Sequence, residues 1–222
     1  MTALCEPKVL RRPVARLALS DHPGPVNKGC KPLRVGLLGD SFNPAHAGHR
    51  YISLEALKRL GLDQVWWLVS PQNPLKAAAG MAPMATRVAL AAGVGRHPRI
   101  RVLPLETRLG TRYTADTLRR LAAWPNHRFI WLMGADNLAQ LPRWRHWRQI
   151  MAACPVAVFE REPYSYAALA GPVAQGFGAA RVPELKAGAL AGAPAPAWAF
   201  IRLRPHPASA TAIRARTETG GG

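Results

Sequence analysis

Six short apolar runs, separated by stretches of helical spacing, constrain the fold of this chain more than any other feature. They lie at 34–38, 64–70, 100–105, 128–134, 156–159 and 199–203. Most are apolar on consecutive positions instead of alternating, the pattern of strands buried on both faces. Between the first two, Ile52, Ala56, Leu57 and Leu60 recur at helical spacing, and Gly61 follows as a C-cap. Residues 84–94 and 114–123 read as further crossover helices. The alternation predicts a Rossmann-like, doubly wound α/β domain with a mostly parallel sheet. Right-handed crossovers in such a sheet place ligands beyond the carboxyl ends of the strands. Residues 167–196, rich in Ala, Gly and Pro, read as a loose excursion and not as a second domain. The domain is expected over 33–216, after an Arg- and Pro-rich, disordered extension at 1–32 and before a flexible tail at 217–222.

A length of 222 residues suits one domain with a substantial core. The net charge of +18 and pI near 11.4 raise nucleic acid as a partner. The cations, however, form no long block and no aromatic-interleaved repeat, which argues against it. A small phosphate-rich substrate also suits a positive field. Cys5, Cys30 and Cys154 are odd in number and form no CxxC pair, so a reduced, cytoplasmic setting without structural zinc is expected. No apolar run approaches the ~20 residues of a membrane span. Residues 1–32 lack the apolar core of a secretory signal, although an Arg-rich, acid-poor leader could also serve as an organellar transit peptide.

The first apolar run leads directly into Gly39-Asp40-Ser41-Phe42-Asn43-Pro44-Ala45-His46-Ala47-Gly48-His49. Histidines three apart at a helix start share one face. That helix end also carries free N–H groups and a partial positive charge. Together they make a polyphosphate site that needs no lysine-bearing P-loop.

Four other segments carry candidate chemistry. After the second run, prolines at 71 and 74 restrict a loop that presents Asn73 and Lys76. After the third, Thr114 stands at a good N-cap position. Asp136, just past the fourth strand, can accept from ribose hydroxyls, and Trp144 can stack on a flat heteroaromatic ring. Near the C-terminus, Ser209 or Thr211 caps a helix start while Arg214 offers forked contacts to oxygens.

The eleven-residue segment resembles the signature of the HxGH nucleotidyltransferases, and its Ser-Phe-Asn-Pro wording is most similar to the nicotinate-nucleotide adenylyltransferases. Arg112-Tyr113-Thr114 through Thr117, Gly134-Ala135-Asp136, Pro142-Arg143-Trp144 and Ser209-Ala210-Thr211-Ala212-Ile213-Arg214 resemble further motifs of that family, in the same order. The resemblance implies a single Rossmann-like domain that transfers the adenylyl group of ATP to nicotinate mononucleotide in NAD synthesis. It implies that His46, His49 and Arg214 act on the phosphates. Gly39, Ser41, Phe42, Asp136, Ser209 and Thr211 would complete the ATP site. Asn73, Lys76, Thr114 and Trp144 would hold the nicotinate nucleotide, with Mg²⁺ carried by ATP and no metal cage of the protein's own. The remaining tryptophans match nothing and are expected to be structural. An HxGH transferase acting on phosphopantetheine or a cytidylyl acceptor is the alternative enzyme, against which the Asn-Pro loop and Pro-x-Trp argue. A basic nucleotide- or nucleic-acid-binding relative without catalysis is the alternative of another class. Two departures stand out: Ala208 where the family has isoleucine, and Asp40 where it has glycine. A carboxylate at 40 is expected either to crowd and repel triphosphate or to point away from it.

Overall fold

The computed structural model describes residues 31–71 and 80–204. Six strands, β1 (Leu33–Asp40), β2 (Gln64–Val69), β3 (Ile100–Leu103), β4 (His127–Gly134), β5 (Val156–Phe159) and β6 (Trp198–Ile201), form one sheet. Their order is β3-β2-β1-β4-β5-β6 and every neighbouring pair is parallel. The order reverses between β1 and β4, so the crevice for a ligand opens where these two strands end.

The helices are α1 (Ala47–Arg59), α2 (Met84–Val94), α3 (Leu105–Leu109), α4 (Thr114–Ala122), α5 (Ala135–Gln140), α6 (Trp147–Ala153), α7 (Ser165–Ala170) and α8 (Pro172–Gly176). Helix α1 is capped by Leu60, with Gly61 one residue further at φ +59°, a left-handed position that glycine takes without steric cost. Among the described residues no helix is long and apolar enough to cross a membrane.

Three expectations shift. Strand β1 runs two residues past the predicted end, pairing Gly39 with Leu68 and Asp40 with Val69, so the signature begins inside the sheet. Strand β3 stops at Leu103 because Pro104, which lacks an N–H, leads into α3. Residues 167–196 are not a loose excursion. They fold into the end of α7, into α8 and into two 3₁₀ segments, and Val173, Ala187 and Leu190 are buried. The small side chains that blur the sequence periodicity let these short turns lie close to the sheet.

Apolar side chains cover both sheet faces. Leu37, Trp66, Trp131 and Trp198 pack with α4 and α6 on one side. Leu38, Phe42, Leu57 and Trp67 pack with α1 and the longer 3₁₀ segment on the other. Trp66, Trp67, Trp131 and Trp198 are fully buried, as structural tryptophans should be. Cys154 is a free, buried thiol whose pKa burial pushes up to about 12, so it is inert; Cys5 and Cys30 lie outside the described residues.

Candidate active site

Both signature histidines serve the start of α1. His46 is the N-cap, with extended backbone, and its Nδ1 accepts from the Gly48 N–H at 3.1 Å. His49 stands at the third helical position, and its Nδ1 accepts from the His46 N–H at 3.1 Å. This is a capping box in which imidazoles replace the usual Ser or Thr and Glu. Because each Nδ1 accepts, the network assigns the hydrogen of each neutral ring to Nε2. The ring centroids are 3.9 Å apart and both side chains are largely buried. The predicted shared face is therefore a contacting pair.

The loop before α1 is packed from beneath. Phe42 has φ +48° and a fully buried ring that stacks on Trp67 at 4.9 Å and meets His49 at a tilt, 4.8 Å between centroids. Its side chain belongs to the core, leaving only its backbone for a ligand. A Cβ at Gly39 would come 2.5 Å from the Trp131 ring, so packing against β4 already requires glycine there.

Asp40 turns back onto its own loop and the histidine pair. Its Oδ1 accepts from the Ser41 N–H at 2.6 Å, and its Oδ2 lies 3.0 Å from His49 Nε2, which donates to it. The carboxylate thus occupies two donors that suit a phosphate oxygen. Replacing it should release both. We expect Asp40→Gly to strengthen ATP binding or raise kcat at least about fivefold, matching repulsion of roughly 1 kcal/mol or more at ~4 Å. Titration and steady-state kinetics at matched salt and magnesium decide it, and an equal or poorer glycine variant would show the carboxylate to be useful.

The motif past β3 departs from expectation in detail. Tyr113 is the N-cap of α4, without a side-chain cap bond, and Thr114 is the first helical residue. Thr117 provides the local tie instead, since its hydroxyl meets Thr111 Oγ1 at 2.8 Å and donates to the Tyr113 carbonyl at 3.3 Å. Thr114 is therefore not committed to capping. The Arg145 guanidinium lies 4.8 Å from the Tyr113 ring, which ties the start of α4 to the segment before α6, and Trp144 is half-buried against the core. Asp136, at the start of α5, accepts from Arg161 at 3.1 Å through Oδ2. Its Oδ1 is buried without a partner among the described residues. A Cβ at Gly134 would meet that oxygen and force the Asp136 carboxylate to shift. Asn73, Lys76, Ser209, Thr211 and Arg214 lie outside the described residues.

Two further residues reach this edge of the sheet unannounced by the motifs. Arg87 of α2 is 2 % exposed and bonds to four backbone carbonyls around the signature loop. The one sequence signal was its place four residues before Ala91, on the buried stripe of an apolar helix. Glu106 of α3 is 4 % exposed, takes a hydrogen bond from the Ser70 side chain and leaves Oε2 unpartnered among the described residues. Burial pushes its pKa up to about 7. Among the described residues, no group of three or more His, Cys, Asp or Glu could hold a metal ion.

A parallel sheet with an imidazole-lined helix start at its reversal point defines a nucleotide-handling α/β protein, and comparison with known proteins agrees. The cytidylyltransferase-like family matches residues 37–216. A protein of Parvibaculum lavamentivorans, named "Probable nicotinate-nucleotide adenylyltransferase", is 56% identical over 143 residues, 64% of this chain and 71% of its own. One of a Bradyrhizobium species, with the same name, is 54% identical over 162 residues, 72% of this chain and 83% of its own. A Plasmodium falciparum nicotinic acid mononucleotide adenylyltransferase complexed with NaAD shares the fold, with TM-score 0.61 at 14% identity, over 82% of this chain and 83% of that one. The chain belongs to the nicotinate-nucleotide adenylyltransferases, nucleotidyltransferase enzymes within the cytidylyltransferase-like family.

Proposed function

We propose that this enzyme joins nicotinate mononucleotide to the adenylyl group of magnesium–ATP, giving nicotinate adenine dinucleotide and pyrophosphate in the cytoplasm. A phosphate oxygen of the mononucleotide attacks the α-phosphorus in line, and the bond from that phosphorus to the bridging oxygen of pyrophosphate breaks. The attacking oxygen is already anionic, so positioning and charge stabilisation carry the rate. The observation that most supports the reading is the imidazole capping box at the strand-order reversal. Both rings spend Nδ1 on the helix start, so their N–H groups sit at Nε2, where that of His49 now meets Asp40.

In this reading His46 and His49 donate to ATP phosphates, and Arg214 neutralises the leaving pyrophosphate. Backbone groups of Gly39, Ser41 and Phe42 line the phosphate path, and Ser209 and Thr211 add contacts to ATP. The unpartnered Oδ1 of Asp136 accepts from a ribose hydroxyl. Trp144 stacks on the pyridine, Thr114 and Lys76 face its carboxylate, and Asn73 meets the mononucleotide. Mg²⁺ arrives on ATP as part of the substrate.

Pyrophosphate release with the acid and the amide mononucleotide tests the assignment. Turnover with the acid and little with the amide is expected. Equal rates would reduce it to adenylyl transfer onto pyridine nucleotides generally. Thr114→Val should cost about 1–3 kcal/mol in kcat/KM with the acid and less with the amide, as for a lost polar partner. Equal losses with both would remove Thr114 from carboxylate recognition.

A further inference from the structure

We propose that Arg87 is a positioning residue of the active site, whose buried guanidinium holds the Ser41–Phe42 turn in register with the loop that leaves β2. The inference rests on the function proposed above. Arg87 Nη1 donates to the Ser41 carbonyl at 2.6 Å and to the Ser70 carbonyl at 2.8 Å. Nη2 donates to the Pro71 carbonyl at 3.2 Å and Nε to the Ala82 carbonyl at 2.9 Å. One side chain therefore gathers the signature loop, the exit from β2 and the entry to α2. No carboxylate lies within 4.0 Å of it among the described residues, although Asp40 is close enough to act on it electrostatically. Burying a cation against carbonyl dipoles alone is costly, and burial lowers its pKa, with Asp40 opposing. A neutral side chain could have filled the space. Only a planar fork with five donors reaches so many separate carbonyls.

What the fork fixes bears on phosphate binding. A planar trans peptide points its C=O and N–H in opposite directions. Aiming the Ser41 carbonyl at Arg87 therefore turns the Phe42 N–H away from the guanidinium, where an anion can meet it. Phe42 holds a left-handed φ of +48°, a conformation strained for a non-glycine residue that persists only when surroundings impose it. The buried Phe42 ring is one such restraint, and the grip on the preceding carbonyl is the other. Asn43 strengthens the same junction, donating to the Gly80 carbonyl at 3.0 Å and accepting from the Ala82 N–H at 3.3 Å.

The test compares full-length wild type, Arg87→Lys and Arg87→Ala for pyrophosphate release, for ATP binding by calorimetry and for melting temperature. Lysine keeps the charge but cannot span the four carbonyls. Arg87→Lys should fold and lose on the order of 10²-fold in kcat per folded enzyme, the scale of an ångström of misplacement. Added guanidinium ion should recover part of kcat in Arg87→Ala without raising its melting temperature, which a purely architectural residue would not show. Should Arg87→Ala fail to fold, Arg87→Lys decides alone. Folded Arg87→Lys within about threefold of wild type in kcat and in KM for both substrates would overturn the proposal. A wild type that releases no pyrophosphate would refute the proposed function instead. ATP affinity then decides for Arg87: about tenfold weaker binding in Arg87→Lys upholds its role, and equal binding overturns it.

Discussion

His49→Ala should lower kcat on the order of 10²-fold or more, the scale of losing one donor to charge that develops in a transition state. The substitution has a second effect. It removes the acceptor at the third position of α1, which costs about 1 kcal/mol of helix stability by analogy with other caps. The two effects separate with His49→Gln, since glutamine is a normal capping-box partner at that position. Glutamine should restore most of the melting temperature and little of the kcat. A folded alanine variant with unchanged kcat would remove His49 from the mechanism.

Glu106 should make stability fall with rising pH in a window where most proteins gain. Its carboxyl is buried, and burial raises its pKa from 4.5 to about 7 in the folded protein. A raised carboxyl pKa means that the folded state holds the proton more tightly. The stabilisation from the neutral acid is complete below pH 4.5 and is lost as pH passes through about 7. The loss is on the order of 3 kcal/mol. Glu106→Gln keeps shape and hydrogen bonding without titrating, so it should be the more stable protein at pH 8 and close to wild type at pH 4.5. Denaturant unfolding of both proteins across this range checks the prediction, and parallel curves would refute it.

The sheet was legible because parallel strands covered on both faces leave unbroken apolar runs, and all six began within one residue of their predicted starts. The histidine pair was legible because loop and helix start are contiguous in sequence. Asp40 was flagged as a departure, but its contacts with Ser41 and His49 depend on how the loop curls back over the strand end. Thr114 was read as a cap by residue type, whereas the backbone places the helix boundary one residue earlier, at Tyr113. The helices between β5 and β6 were missed because Ala- and Gly-rich segments carry little contrast between inner and outer faces. Arg87 could not be read as a partner of Ser41, since 46 residues separate them and carbonyl acceptors have no sequence signature.

The imidazole capping box also restricts what can replace its members. Each position needs an acceptor facing the helix and, across the ring, an N–H for a second partner, which at His49 is Asp40. Lysine or arginine would attract phosphate more strongly in water, but neither has an acceptor. A cation substituted here would leave the first turn of α1 uncapped as it reached for its anion. Serine and aspartate cap well but bring no rigid outward N–H. Neutral histidine works as a two-ended connector, joining helix order to ligand order through one planar ring. Phosphate bound at the outer nitrogen would polarise the ring and strengthen the inner bond, so substrate binding and the integrity of α1 should rise together.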